Sequence, residues 1–65
     1  MRDKQISGEV LFEFIRHGNI VRVSALHVDS NTEVTFMGPA NTPQASLQST
    51  ALQKLRYVLN KKTGV

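Results

Sequence analysis

The sequence contains no cysteine. Disulfides and thiolate metal sites are therefore excluded, and with His17 and His27 as the only imidazoles no structural metal is expected. Tryptophan is absent, and one tyrosine and three phenylalanines are the only aromatics, although a hydrophobic fraction of 40% is ordinary for a globular domain. No apolar run approaches the length that spans a bilayer. Residues 1–8 lack the apolar segment and small-residue cleavage site of a signal peptide. These features predict a soluble cytoplasmic protein with no membrane association. Sixty-five residues make one domain at most. Domains of roughly 55–65 residues do fold alone, but they bury a modest share of their surface. Without staples, burial and chain entropy nearly cancel in such a scaffold, so stability has to come from the core or from a partner, a second copy included.

Acidic residues are missing from the second half. Asp3, Glu9, Glu13, Asp29 and Glu33 all precede residue 34, and the only charges beyond it are Lys54, Arg56, Lys61 and Lys62. The net charge is +3. Two explanations stand side by side. The basic end marks an anionic partner, or the cations complement the dipole at a helix C-terminus.

What is present is a pattern that folds back on itself. Residues 9–16 alternate and are rich in Val, Phe and Ile, as a strand should be. Gly18-Asn19 suits a type II′ hairpin turn, which takes Gly at its first central position. Residues 20–27 form the returning strand, and the register then sets Phe14 against Val23, Phe12 against Ala25 and Leu11 against Leu26. Residues 28–32 contain Asp-Ser-Asn, which turns chains by bonding its own backbone. A third, shorter strand covers 33–37 and is expected to stop at Gly38-Pro39, because proline cannot donate to a ladder. Thr42 is read as an N-cap with Pro43 at the first helical position, and Ser46 competes as a cap. Leu47, Ala51, Leu52, Leu55, Val58 and Leu59 then recur at helical spacing, and Lys61, Lys62 and Gly64 end the helix. The fold class is α+β: a three-stranded antiparallel meander followed by one amphipathic C-terminal helix, β-β-β-α. Residues 1–7 are read as a flexible tail, 8–62 as the domain and 63–65 as a frayed end.

Strand side chains alternate between faces. One face carries Val10, Phe12, Phe14, Val21, Val23, Ala25, Val34 and Phe36 and should lie under the helix. The expected core is Phe12, Phe14, Val23, Phe36, Leu55 and Leu59. The other face should be polar in a sheet with one wet side. Instead it holds Leu11, Ile15, Ile20, Leu26 and Met37 among Glu9, Glu13, Arg22, Ser24, Glu33 and Thr35. One helix cannot cover both sides of a sheet. These five apolar side chains form the candidate protein interface, since a contiguous exposed patch often marks one. The structural alternative is that surface hydrophobes interrupted by charges are normal and that cross-strand pairs stabilise a small sheet unaided.

A second candidate surface, for an anionic partner, comprises Lys54, Tyr57, Lys61 and Lys62. Tyr57 falls opposite Leu55 and Leu59 on a helical wheel, and an aromatic between lysines can stack on a base. Equally, a tyrosine lies flat against long side chains three and four residues away. His17, His27 and Asp29 resemble catalytic groups, but Ser24 and Ser30 have no nucleophile motif and no constellation meets the geometric criteria for catalysis. An enzyme is not expected, and no cofactor is implied. The loop Gly38-Pro39-Ala40-Asn41-Thr42-Pro43 lacks the glycines and the Gly-Lys-Ser/Thr start of a phosphate cradle, and reads as a stiff crossover.

Gly8-Glu9-Val10, Glu13-Phe14, Gly18, Val21-Arg22-Val23-Ser24-Ala25, Glu33-Val34, Gly38-Pro39, Pro43-Gln44 and the helix segment at 51–59 together form a pattern over nearly the whole chain. With these pieces the chain resembles a family of short, uncharacterised bacterial proteins, mostly alphaproteobacterial. That resemblance implies no activity and transfers no site residue. More loosely, three strands followed by a helix look like small DNA-binding modules that read a groove with their sheet. Such sheets present Arg, Lys and Asn, whereas this one offers Arg22 amid Leu11, Ile15 and Leu26, with Glu9, Glu13 and Glu33 repelling phosphates. The expected function is a non-enzymatic interaction module acting through the apolar side of its sheet on a protein partner or as a weak homodimer. The alternative is a weak nucleic-acid binder using the basic helix face.

Overall fold

A computed structural model describes residues 8–62, and also leaves the side chain of Lys62 outside the description. The expected tail at 1–7 and end at 63–65 therefore lie outside the described residues. Three strands, β1 (Val10–His17), β2 (Ile20–His27) and β3 (Thr32–Pro39), precede a single helix, α1 (Gln44–Lys62). The strands form one antiparallel sheet in the order β1-β2-β3. This is the α+β meander and helix that the hydrophobic pattern predicts.

The hairpin register is as the sequence sets it: Leu11 pairs with Leu26, Phe12 with Ala25 and Phe14 with Val23. Gly18 has φ +61 while Asn19 is not left-handed, the signature of a type II′ turn, and Gly18 is the residue that takes that φ without strain. The β2–β3 loop closes with Asn31 at φ 53 and a bond from its N–H to the Val28 carbonyl at 3.2 Å. Asparagine is among the few side chains that tolerate this region.

β1 lies one residue later than the expected 9–16, β3 begins one residue early at Thr32, and two further boundaries differ. β3 does not stop before Gly38-Pro39 but runs through Pro39, which pairs with Ile20. The Ala40 N–H donates to the Asn19 carbonyl at 2.8 Å, so by the period of two the odd residues of β3 point their N–H groups away from β2. Proline 39 therefore lacks a donor only on the free edge, where nothing needs it. The helix begins at Gln44, one residue late: the Pro43 carbonyl accepts from the Ser46 and Leu47 N–H groups, which puts Pro43 in the capping position.

Val21, Val23, Ala25, Leu47, Ala51 and Leu55 are buried together between sheet and helix. Phe12, Phe14, Phe36 and Leu59 pack around them but are only half-buried, against the expectation of a phenylalanine-filled core. The reason is where the helix lies. It packs on β2 and β3 rather than across all three strands. Gly38 allows this, because a Cβ there would stand 3.0 Å from the Leu47 Cδ2 atom. The inner side of β1 is left under partial cover, with the Phe12 and Phe14 rings stacked at 6.4 Å. A half-buried phenylalanine loses less on truncation than the roughly 3–5 kcal/mol of a buried one. Phe14→Ala is expected to cost about 2 kcal/mol and leave a folded, weakened domain, as read by urea denaturation.

Candidate functional site

The five apolar residues of the first candidate surface share the face of the sheet opposite α1. Leu11 pairs with Leu26, which is flanked on its other side by Glu33; Ile15 pairs with Arg22, whose other neighbour is Met37; Ile20 sits between His17 and Pro39. Met37 is 63% exposed, Leu11 48% and Ile20 46%, whereas Ile15 and Leu26 are half-buried by their neighbours. The row Glu13, Ser24, Thr35 crosses the middle. There the Ser24 and Thr35 hydroxyls are hydrogen-bonded at 3.3 Å, and Ser24 is buried. The expected single patch is thus two apolar clusters separated by a polar row. No element among the described residues covers this face.

On the second surface, one flank of α1 meets β3 in an open groove of about 520 Å³ lined by Val34, Thr35, Gln53, Lys54, Tyr57 and Val58. Tyr57 is 64% exposed. The Lys61 Nζ atom lies over its ring at 5.4 Å from the centroid, and the Lys54 Nζ atom lies over the Phe36 ring at 5.7 Å. Lys54, Tyr57 and Lys61 do come together, but each lysine already rests on an aromatic face. A base could stack on Tyr57 from that side only by displacing Lys61. Lys62 belongs to the same helix, with its side chain outside the described residues.

The unit that presents these two surfaces, residues 8–62, coincides with a family match. A model of a domain of unknown function, DUF6898, matches residues 7–62. The chain belongs to the DUF6898 family. No curated protein and no solved structure matches it. The DUF6898 match ends at Lys62, the last residue of α1, so it takes in all three strands and the whole helix.

One arrangement in this DUF6898 domain was not legible in the sequence. His27 is 8% exposed, on the inner face at the end of β2, opposite Thr32. Its Nδ1 atom lies 2.6 Å from the Ser30 Oγ atom. Ser30 in turn donates to the Thr32 Oγ1 atom at 2.8 Å, and Thr32 donates to the Ser30 carbonyl at 3.3 Å. With its proton committed to Thr32, the Ser30 hydroxyl accepts from the imidazole. A general base would need the reverse. The trio ties the β2–β3 loop, and the only signal for it was the spacing of His27, Ser30 and Thr32 across a four-residue turn. Asp29 does not join His27: its carboxyl packs at Gly8, where φ is +93 and a Cβ would collide with it. Among the described residues no three His, Asp or Glu side chains cluster as a metal site, and no helix is long and apolar enough to cross a membrane.

Proposed function

We propose that this DUF6898 domain is a small, non-enzymatic protein-binding module of the cytoplasm that works through the outer face of its sheet. The observation that carries the reading is the exposure of Leu11, Ile20 and Met37 on a face that no element among the described residues covers. Glu9, Glu13 and Glu33 outnumber Arg22 there, so the fitting partner is a segment whose apolar side chains are flanked by Lys or Arg. Two copies meeting through this same face would oppose like charges, which weakens the homodimeric version. Each apolar side chain contributes roughly 1.5–3 kcal/mol if fully covered. Association itself has a large entropic cost. The complex is therefore weak and transient.

A synthetic amphipathic helix of Leu and Lys is a suitable probe. Fluorescence anisotropy should show salt-sensitive binding that a Leu/Glu counterpart lacks. Amide shifts should move at Leu11, Leu26 and Met37, and Leu26→Lys should abolish the effect while the domain stays folded. Equal binding by Leu26→Lys and the parent chain would remove this reading.

The exposed Tyr57 between Lys54 and Lys61 favours a second reading, a weak nucleic-acid contact. Affinity for duplex DNA should then fall with salt at a logarithmic slope of about −2 to −3, the value for two or three phosphate contacts. Absence of binding to labelled DNA and RNA at low ionic strength would eliminate it.

A further inference from the structure

The position of α1 over β2 and β3 sets one strand edge inside a groove. The helix flank beyond β3 carries Lys54, Tyr57 and Val58, and Lys61 follows on the same side, seven residues after Lys54. Beneath that flank lies the open groove of about 520 Å³, whose other wall is Val34 and Thr35. The Ala40 N–H donates to the Asn19 carbonyl, so the odd residues of β3 turn their N–H and C=O groups away from β2. Thr35 therefore presents a backbone donor and a backbone acceptor at the groove, with Glu33 and Met37 in line on either side. Among the described residues no strand lies along this edge. Pro39 ends it, having no N–H to offer.

A backbone edge and side-chain contacts thus face one space. Val34 and Val58 are half-buried there, and Tyr57 stands exposed above them. Extended peptides are bound by this combination: main-chain bonds to a sheet edge supply affinity, and contacts to alternate side chains supply choice.

Charge selects the peptide. α1 carries no acidic residue. The Lys54 and Lys61 ammonium groups rest over the Phe36 and Tyr57 rings, and among the described residues neither is paired with a carboxylate. An aromatic face attracts a cation without cancelling its charge, so the flank above the groove stays basic. The outer side of the same edge carries Glu33. A strand added here meets cations with the side chains it turns toward α1 and a carboxylate with those it turns outward. A second copy fits poorly, because antiparallel pairing of β3 with itself puts both helices on one side and brings the two basic flanks together. Nucleic acid fits poorly as well, since phosphates carry no donor for the outward carbonyls of β3. We propose that an acidic, extended segment of another protein adds to β3 as a further strand beneath α1. Its inward side chains come from every second position. They combine apolar groups for Val34, Val58 and Tyr57 with carboxylates for Lys54 and Lys61, and the residues between them are neutral. This surface is separate from the outer face, and the segment competes with nucleic acid for the same lysines.

The probe is a short synthetic peptide in which Thr alternates with Val and Glu. Fluorescence anisotropy of the labelled peptide should show binding that weakens with salt, and a counterpart with Lys in place of Glu should not bind. By hydrogen exchange, the Thr35 and Met37 amides should exchange fast in the free chain and slow when the peptide is added. The outward amides of β1, at Phe12 and Phe14, should not change. N-methylation of one alternate set of peptide residues should abolish binding, and of the other set should leave it, because a strand turns only every second N–H toward its neighbour. Lys54→Glu should weaken the Glu peptide several-fold and strengthen the Lys one. Leu26→Lys, which disables the outer face, should leave the peptide bound as before. Thr35 and Met37 amides that are already slow in the free chain overturn the proposal, as does protection of Phe12 and Phe14 in their place. Binding that survives both N-methylated sets, or that Leu26→Lys abolishes, overturns it too. Labelled DNA that binds where the peptide does not gives this flank to phosphates instead.

Discussion

Leu55→Ala is expected to remove most of the stability of this domain. Leu55 is fully buried, in the middle of the helix face that also carries Ala51 and meets Val23 and Ala25. Truncating a buried leucine costs about 2–5 kcal/mol, with the spread set by how far the cavity collapses. A chain of this length holds only about 3–10 kcal/mol in total. Collapse is limited here, because the surrounding side chains are small and the sheet beneath is held by its ladders. In a thermal melt the midpoint should fall by at least about 8 °C, following the usual scaling for small domains. A variant that melts with the parent would mean that the helix does not dock through Leu55.

A charge introduced at Ala25 should abolish folding, whereas one introduced at the next residue should not. Ala25 is fully buried on the inner face, between Phe12 and Val34. An aspartate there is an unpaired charge in an apolar contact, which costs more than the domain holds. Leu26 points the other way, between Leu11 and Glu33, and a lysine there gains Glu33 as a cross-strand neighbour. Far-ultraviolet circular dichroism of Ala25→Asp and Leu26→Lys should therefore show a disordered chain and a folded one. Two folded variants would mean that the faces of β2 are misassigned; loss of folding in Leu26→Lys would make the outer face a core face and remove the interface built on it.

The outer-face residues were legible because alternation in a strand is a local property. Once Gly18-Asn19 fixes the turn, each residue of β1 and β2 has one partner and one side. Leu11, Ile15, Ile20, Leu26 and Met37 then share a face whatever the helix does. Their division into two clusters was less legible: it needs the Ser24–Thr35 hydroxyl pair across a second hairpin, whose loop did not fix its own end from sequence. The basic flank was legible from helical spacing. The resting of Lys61 on Tyr57 and of Lys54 on Phe36 was not, because long side chains settle on whichever ring is nearest.

By itself, the sequence determined the order of elements, the hairpin register, the two faces of the sheet and the apolar stripe of the helix. Each of these follows from backbone geometry with a short period, from a turn residue that tolerates positive φ, or from a stripe that recurs every three or four positions. The sideways position of the helix on the sheet was decided only in three dimensions. An apolar stripe states that the helix must meet the inner face, but not which strands it covers. That choice depends on close approach: Gly38 leaves room for Leu47, and Ala51 and Ala25 let the helix settle over β2 and β3. Tertiary packing thereby left the phenylalanines of β1 half-covered, and it set the hydroxyls of Ser30 and Thr32 beside the inward ring of His27.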